Sequence, residues 1–167
     1  MSKFMVVYGT KSGCTRGVAQ RIGECLARKG ADVDVVSAQE ADGLAAYDAV
    51  IVGSGIRMSQ WHEPARAWVA QNAEQLQQIP VAFYTVNLTM AKEPERAPEV
   101  RAWTDPVIES SGVSPLDIGL FAGWNEPKEF SFIERTVLKA LKAPQGDFRD
   151  WDAIDAWAET VSEKMGV

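Results

Sequence analysis

With 167 residues, 46% of them hydrophobic and 24% charged, the chain has enough apolar material for one domain with a full core. Its net charge of −6 excludes a general nucleic-acid binder, which needs clustered cations, and no apolar run approaches the ~20 residues that cross a bilayer. Cys14 and Cys25 form neither a CxxC pair nor a zinc-ligand spacing, so neither a structural disulfide nor a metal site is expected.

In chain order, residues 3–8 are a β-rich run that starts without a cleavage-type segment, which predicts a cytoplasmic protein. The stretch Thr10, Lys11, Ser12, Gly13, Cys14 and Thr15 follows, crowded with hydroxyls. Val18, Ile22, Cys25 and Leu26 then make a helical stripe that Gly30 ends. A second strand is read at 32–36, a turn or two of helix within 37–47, and a third strand at 49–53. Ala65, Trp68, Val69, Asn72 and Leu76 form the next stripe, with Pro64 in its first turn. A fourth strand is read at 81–86, a helix over 97–111 kinked or broken at Pro106, and a fifth strand at 116–122. Residues 128–142 give an amphipathic helix. Phe130, Ile133, Val137, Leu138 and Leu141 stand on one side of it, and Lys128, Arg135, Lys139 and Lys142 on the other. Trp151, Ile154, Trp157, Ala158, Val161 and Met165 line the last helix.

The five runs are nearly continuous in apolar character, as strands covered on both faces are. Strands alternating with helices predict one doubly wound α/β domain over 1–167, with the 128–142 helix as an addition. Right-handed crossovers bring the strand carboxyl ends to one edge, where ligands bind. The segments at that edge are 9–15, 54–62, 85–92 and 123–129.

The first of them joins strand to helix, so its amides and the positive end of the helix dipole form an anion site. Thr10, Ser12 and Thr15 add hydroxyls, and Gly13 permits close approach. Neither GxGxxG nor GxxxxGK[ST] is present, which leaves a phosphate monoester as the best-fitting ligand. The alternative is an ordinary helix start with Ser/Thr caps. Cys14 would give a backbone amide, and Cys25 belongs to the core stripe.

The pattern Thr-x-Ser-Gly-x-Thr resembles the phosphate loop of flavodoxins, which bind flavin mononucleotide (FMN). The stretches GSGIRMSQWHEPARAWV (53–69) and PVAFYTVNLTMAKEPERAPEV (80–100) resemble the flavodoxin-like, quinone-dependent protoporphyrinogen IX dehydrogenases. The resemblance covers about residues 3–123. It implies a five-stranded parallel sheet in the order 2-1-3-4-5 with helices on both faces, and FMN phosphate on the first loop. It also implies that Ser54, Gly55, Ile56, Arg57 and Met58 flank the flavin ring with Thr85, Val86, Asn87, Leu88 and Thr89. Trp124 is expected to close over flavin or substrate.

Arg57 and the absence of any acid in 85–92 favour a flavin that accepts electrons from a substrate, because a nearby cation stabilises the reduced anionic ring. Trp61 either stacks on the flavin or covers the next helix start. His62, the only histidine, is a candidate proton acceptor or a polar surface residue. Three functions are therefore carried forward. The first is an FMN oxidoreductase moving electrons from a porphyrinogen to a quinone. The second is a flavodoxin-type carrier serving a redox protein, which an acidic surface suits. The third is an NAD(P)H or quinone reductase. The 128–142 helix is expected to pack its apolar face on the domain, with peripheral contact to an anionic inner-membrane face or to porphyrinogen propionates as the alternative. Here the chain departs from the dehydrogenases it resembles: Asn125, Glu126, Glu129 and Glu134 make the region more acidic, and the connector 143–150 is short.

Overall fold

The computed structural model describes residues 2–10, 13–125, 132–140 and 146–166. Five strands form the parallel core of the sheet: β1 (Lys3–Gly9), β2 (Asp32–Ser37), β3 (Ala49–Arg57), β5 (Val81–Asn87) and β6 (Ile118–Ala122). Their order is β2-β1-β3-β5-β6, and a two-residue β4 (Gln60–Trp61) pairs antiparallel with the end of β3. Each parallel pair needs a crossover, and the helices supply them: α1 (Cys14–Arg28), α2 (Glu63–Gln71), α3 (Ala73–Leu76), α4 (Thr89–Lys92), α5 (Ala97–Ala102) and α6 (Asp105–Ser111). A 3₁₀ turn (Pro94–Arg96) links α4 to α5. After β6 come β7 (Trp124–Asn125), α7 (Phe132–Ala140), β8 (Gly146–Asp147) and α8 (Trp151–Lys164).

The continuous apolar strands have the cause expected of them, since both sheet faces are buried. Phe4, Val6, Ile51 and Tyr84 point to one face, where Val18, Ile22 and Leu26 of α1 and Ile154, Ala158 and Val161 of α8 cover them. Met5, Val7, Val52 and Phe83 point to the other, against Ala65, Trp68 and Val69 of α2 and Val107 of α6. Each fully buried aliphatic side chain contributes about 1.5–3 kcal/mol, so Leu26→Ala would cost about 2–5 kcal/mol including the cavity left behind. Helix α1 ends at Gly30, whose φ of 97° is left-handed. The amides of Gly30 and Ala31 bond to Ala27 O and Leu26 O, closing the helix as a Schellman motif.

Several expectations need correction. The strand read at 49–53 runs on to Arg57, and a hairpin stands where a loop was expected. Partners persist on both flanks, with Gly9 beside Ser54 and Val86 beside Gly55. The glycines that look like a turn signal answer crowding instead: a Cβ at Gly53 would run into the Tyr84 ring. The stripe through Leu76 breaks at Asn72 into α2 and α3, whereas the helix read over 97–111 is broken near Pro106 as expected, into α5 and α6 with Pro106 in the first turn of α6. Residues 38–47 form turns and irregular backbone, not a helix. Of the amphipathic 128–142 segment, the structure shows α7 with Phe132 and Ile133 exposed, Ile133 at 74%. Ile133 therefore does not pack on the domain, as its stripe predicted. Lys128, Phe130, Leu141 and Lys142 lie outside the described residues.

Candidate functional site

Helix α1 starts with its amides free of any side-chain cap. Its N-cap is Gly13 at φ 91°, and its first turn carries no acid. The loop before it is shaped by its own hydroxyl: the Gly13 N–H donates to Thr10 Oγ1 at 3.0 Å, which leaves the Thr10 O–H available as a donor. Thr15, in the first turn, is fully buried (0% exposed), yet its Oγ1 has no hydrogen-bond partner. Lys11 and Ser12 lie outside the described residues.

The second segment closes on the first. A Cβ at Gly55 would sit 3.2 Å from Thr15 Oγ1 and 3.8 Å from Thr10 Oγ1, so glycine lets β3 lie against the loop. His62, the residue before α2, places its ring over Gly9, with Cδ2 3.3 Å from where a Cβ there would stand. Ser54 is committed to the hairpin: its hydroxyl accepts the His62 N–H at 2.8 Å and donates to Gly55 O at 2.7 Å. Ile56 packs on the core. Arg57 is half-buried. Burial pushes its guanidinium below the ordinary value, and Cys14 acts weakly the other way. Met58 and Ser59 then turn the hairpin with φ of 53° and 61°, and Met58 is 86% exposed.

Trp61 takes the second of its two expected places. It is buried at 3%, its indole N–H donates to Thr104 Oγ1 at 3.1 Å, and its ring meets Phe83 edge-on, so it stacks on nothing at the edge. Thr104, the residue that decides this, gives no signal in the sequence.

In the third segment, Asn87 Oδ1 accepts the Met90 N–H at 2.9 Å and starts α4, in which Leu88 and Thr89 sit at the first turn. The Asn87 Nδ2 and Thr85 Oγ1 are buried without partners. Val86 packs toward α1. Tyr84 is fully buried, and burial, then Cys14 and Tyr8, drive its hydroxyl well above its ordinary pKa. It stays neutral and has no partner for its hydroxyl.

The fourth segment holds Gly123, where a Cβ would be 3.0 Å from Val86 Cγ1 and 3.6 Å from Cys14 Sγ, and Trp124, whose ring edge lies 3.7 Å from the Cβ position of Gly13. Its indole N–H is another buried donor without a partner. Arg149 and Asp147 close over Trp124 from the connector before α8, a pair that the sequence reading missed. Among the described residues, five of the six buried polar side-chain atoms lacking a partner belong to Thr15, Tyr84, Thr85, Asn87 and Trp124. Unpaired buried polar atoms cost about 1–3 kcal/mol each, so their concentration at one edge marks where an absent polar ligand would repay them.

The fold is shared with solved flavodoxins. A flavodoxin from the domain Archaea superposes with a TM-score of 0.60 at 17% identity, covering 99% of both chains. Oxidised flavodoxin 1 from Bacillus cereus gives 0.62 at 12% identity, over 97% of this chain and 98% of that one. By sequence, the protoporphyrinogen IX dehydrogenase (quinone) of Escherichia coli K12 is 24% identical over 96% of this chain and 94% of its own. The enzyme of the same name from Leishmania major is 27% identical over 93% of this chain and 73% of its own. The Flavodoxin_5 family, a flavodoxin domain, matches residues 5–152, and the chain belongs to that family.

Proposed function

We propose that the chain is a single-domain FMN flavoprotein oxidoreductase that takes electrons from a reduced substrate of the protoporphyrinogen class and passes them to a quinone. A flavodoxin domain implies a flavin, and the residues present fit one. The uncapped α1 amides, the Thr10 and Thr15 hydroxyls and, by sequence, Lys11 and Ser12 would hold the phosphate. Gly55, Ile56, Arg57 and Met58, with Thr85, Val86, Asn87, Leu88 and Thr89, would bracket the ring. The unpaired amide of Asn87 is the donor in best supply there. Bound there, FMN would supply two-electron redox chemistry between a reduced substrate and an acceptor.

The observation that carries the enzymatic reading is Arg57, a half-buried cation at this edge, together with a third segment (85–92) that holds no acid. Low-dielectric surroundings strengthen its field, which favours a reduced, negatively charged ring. The match to dehydrogenases along nearly the whole chain supports the same reading. His62, beside the first loop, is the candidate proton acceptor. The net charge of −6 favours the carrier reading, since acidic surfaces steer carriers to basic partners. The exposed Phe132 and Ile133 of α7 support peripheral membrane contact, for which vesicle co-sedimentation is the test.

The deciding experiment mixes the FMN-loaded protein anaerobically with protoporphyrinogen IX. Flavin bleaching with rising porphyrin fluorescence, reversed by quinone, is expected. A flavin that stays oxidised rejects the substrate class, and rapid bleaching by NAD(P)H instead would assign a reductase. Arg57→Ala should lower the flavin potential; an unchanged potential removes Arg57 from the argument.

A further inference from the structure

Trp124 pairs across a two-residue ladder with Asp147, and the Phe148 N–H donates to Gly123 O at 3.0 Å. The connector thereby straps the fourth segment down against the start of α1. Arg149 lies between two indoles, its guanidinium carbon 4.2 Å from the Trp124 ring centre and 4.7 Å from that of Trp151. It is also fixed by Asp147, through Nε at 2.9 Å and Nη2 at 2.6 Å, and it reaches Cys14 O at 3.5 Å through Nη1. The guanidinium lies against Gly17 of α1, where a Cβ would meet Arg149 Nη1.

Two consequences follow. One face of Trp124 is taken by Arg149. Its Cζ2, on the same long edge of the indole as Nε1, lies 3.7 Å from the Cβ position of Gly13, and Nε1 is buried without a partner. The donor therefore stands beside the loop in which the fully buried Thr15 hydroxyl also lacks a partner. Two buried unpaired donors at an uncapped helix start, with no acid in its first turn, call for an acceptor of high charge density.

We infer that Trp124 is a phosphate-end residue: its indole N–H donates to the phosphate held at Gly13–Thr15, and Arg149 is the positioning residue that holds it there. This rests on the FMN reading above. Asp147 neutralises Arg149, so the contribution of Arg149 is orientation rather than added positive charge.

The test measures dissociation constants for FMN and for riboflavin, which lacks the phosphate, by quenching of flavin fluorescence. The wild type should prefer FMN; if it does not, the FMN reading itself fails and the inference falls with it. Trp124→Phe keeps a ring for Arg149 and removes the N–H. It should weaken FMN binding about tenfold or more while leaving riboflavin binding unchanged. Riboflavin binding also reports whether the variant folds. The ³¹P signal of bound FMN should move in this variant. Equal losses for both ligands, or no loss for either, would overturn the assignment. Arg149→Gln should weaken FMN binding in the wild type and add nothing in the Trp124→Phe background; a full additional loss there would show that Arg149 acts on its own.

Discussion

Two helix starts lie side by side in this molecule and are finished in opposite ways. At α8, Asp150 accepts the Ala153 N–H at 3.0 Å, and Asp152 sits in the first turn, so the chain satisfies its own amides and dipole. At α1, a left-handed glycine precedes the helix, no side chain caps it, no acid follows, and a buried threonine hydroxyl is left unpaired. The two ends are joined through Arg149, which reaches Cys14 O and stacks on Trp151. One helix start is complete within the protein. The other leaves its first-turn amides without a side-chain cap and a buried hydroxyl without a partner. The difference is what the proposed phosphate site rests on, beyond a hydroxyl-rich sequence.

The sharpest way to break the comparison is Thr15→Val, a near-isosteric change that removes the unpaired hydroxyl. FMN affinity should fall about tenfold or more, whereas the ligand-free protein should gain up to about 1 kcal/mol because a buried unsatisfied group is gone. Urea denaturation of the apoprotein and fluorescence titration of FMN read the two effects separately. A loss of apoprotein stability would mean that Thr15 serves the fold rather than a ligand.

Asp150→Ala should give the opposite signature: about 1 kcal/mol less stability from the lost cap, with FMN affinity unchanged within about twofold. Thermal denaturation checks the first half. A comparable loss of FMN affinity would show that the two helix starts are one functional unit.

The same helix also supplies a pH handle well away from the open end. Arg21 Nε and Nη2 each reach a different oxygen of Asp155 at 2.7 Å, joining α1 to α8, and Cys25 Sγ donates to the same carboxylate at 3.1 Å. The hydrogen bonds from Arg21 hold Asp155 down to about 2, below its usual carboxylate value. A depressed folded pKa contributes stability that is present above the unfolded value of about 3.9 and is lost as pH falls toward 2. The pair is partly exposed, which limits the contribution to about 1 kcal/mol at low salt. Asp155→Asn should therefore cost about that much at pH 6 and flatten the decline in stability between about pH 4 and 2. An identical acid profile in wild type and variant would remove Asp155 as the source.

Much of this architecture is legible in the chain because burial on both faces leaves continuous apolar strands, and Val18, Ile22 and Leu26 keep the helical period. The first loop is legible for a local reason: strand, hydroxyls, glycine and helix follow one another within sixteen residues. What escaped reading depends on distant partners. Trp61 is placed by Thr104, and Trp124 by Arg149, neither of which shares any period with it. The extension of β3 was hidden because Gly53 and Gly55 carry a turn signature while answering to Tyr84 and Thr15 across the sheet.

The smallest expected effect concerns the tip of that extension. Met58 and Ser59 occupy the two central positions of a two-residue hairpin, with φ of 53° and 61°, where Asn-Gly is the favoured pair. Left-handed backbone costs an L-residue about 1–2 kcal/mol, and part of any gain from glycine is lost to the greater freedom of its unfolded chain. Replacing Met58-Ser59 by Asn-Gly should thus stabilise the apoprotein by about 0.5–1 kcal/mol. Strain kept at a binding edge is retained where a particular side chain is needed there, and Met58 is almost wholly exposed beside Arg57. If Met58 meets the substrate, the stabilised variant should keep its FMN affinity and lose turnover with the porphyrinogen. A variant that is both more stable and equally active would show that the hairpin tip carries strain without using it.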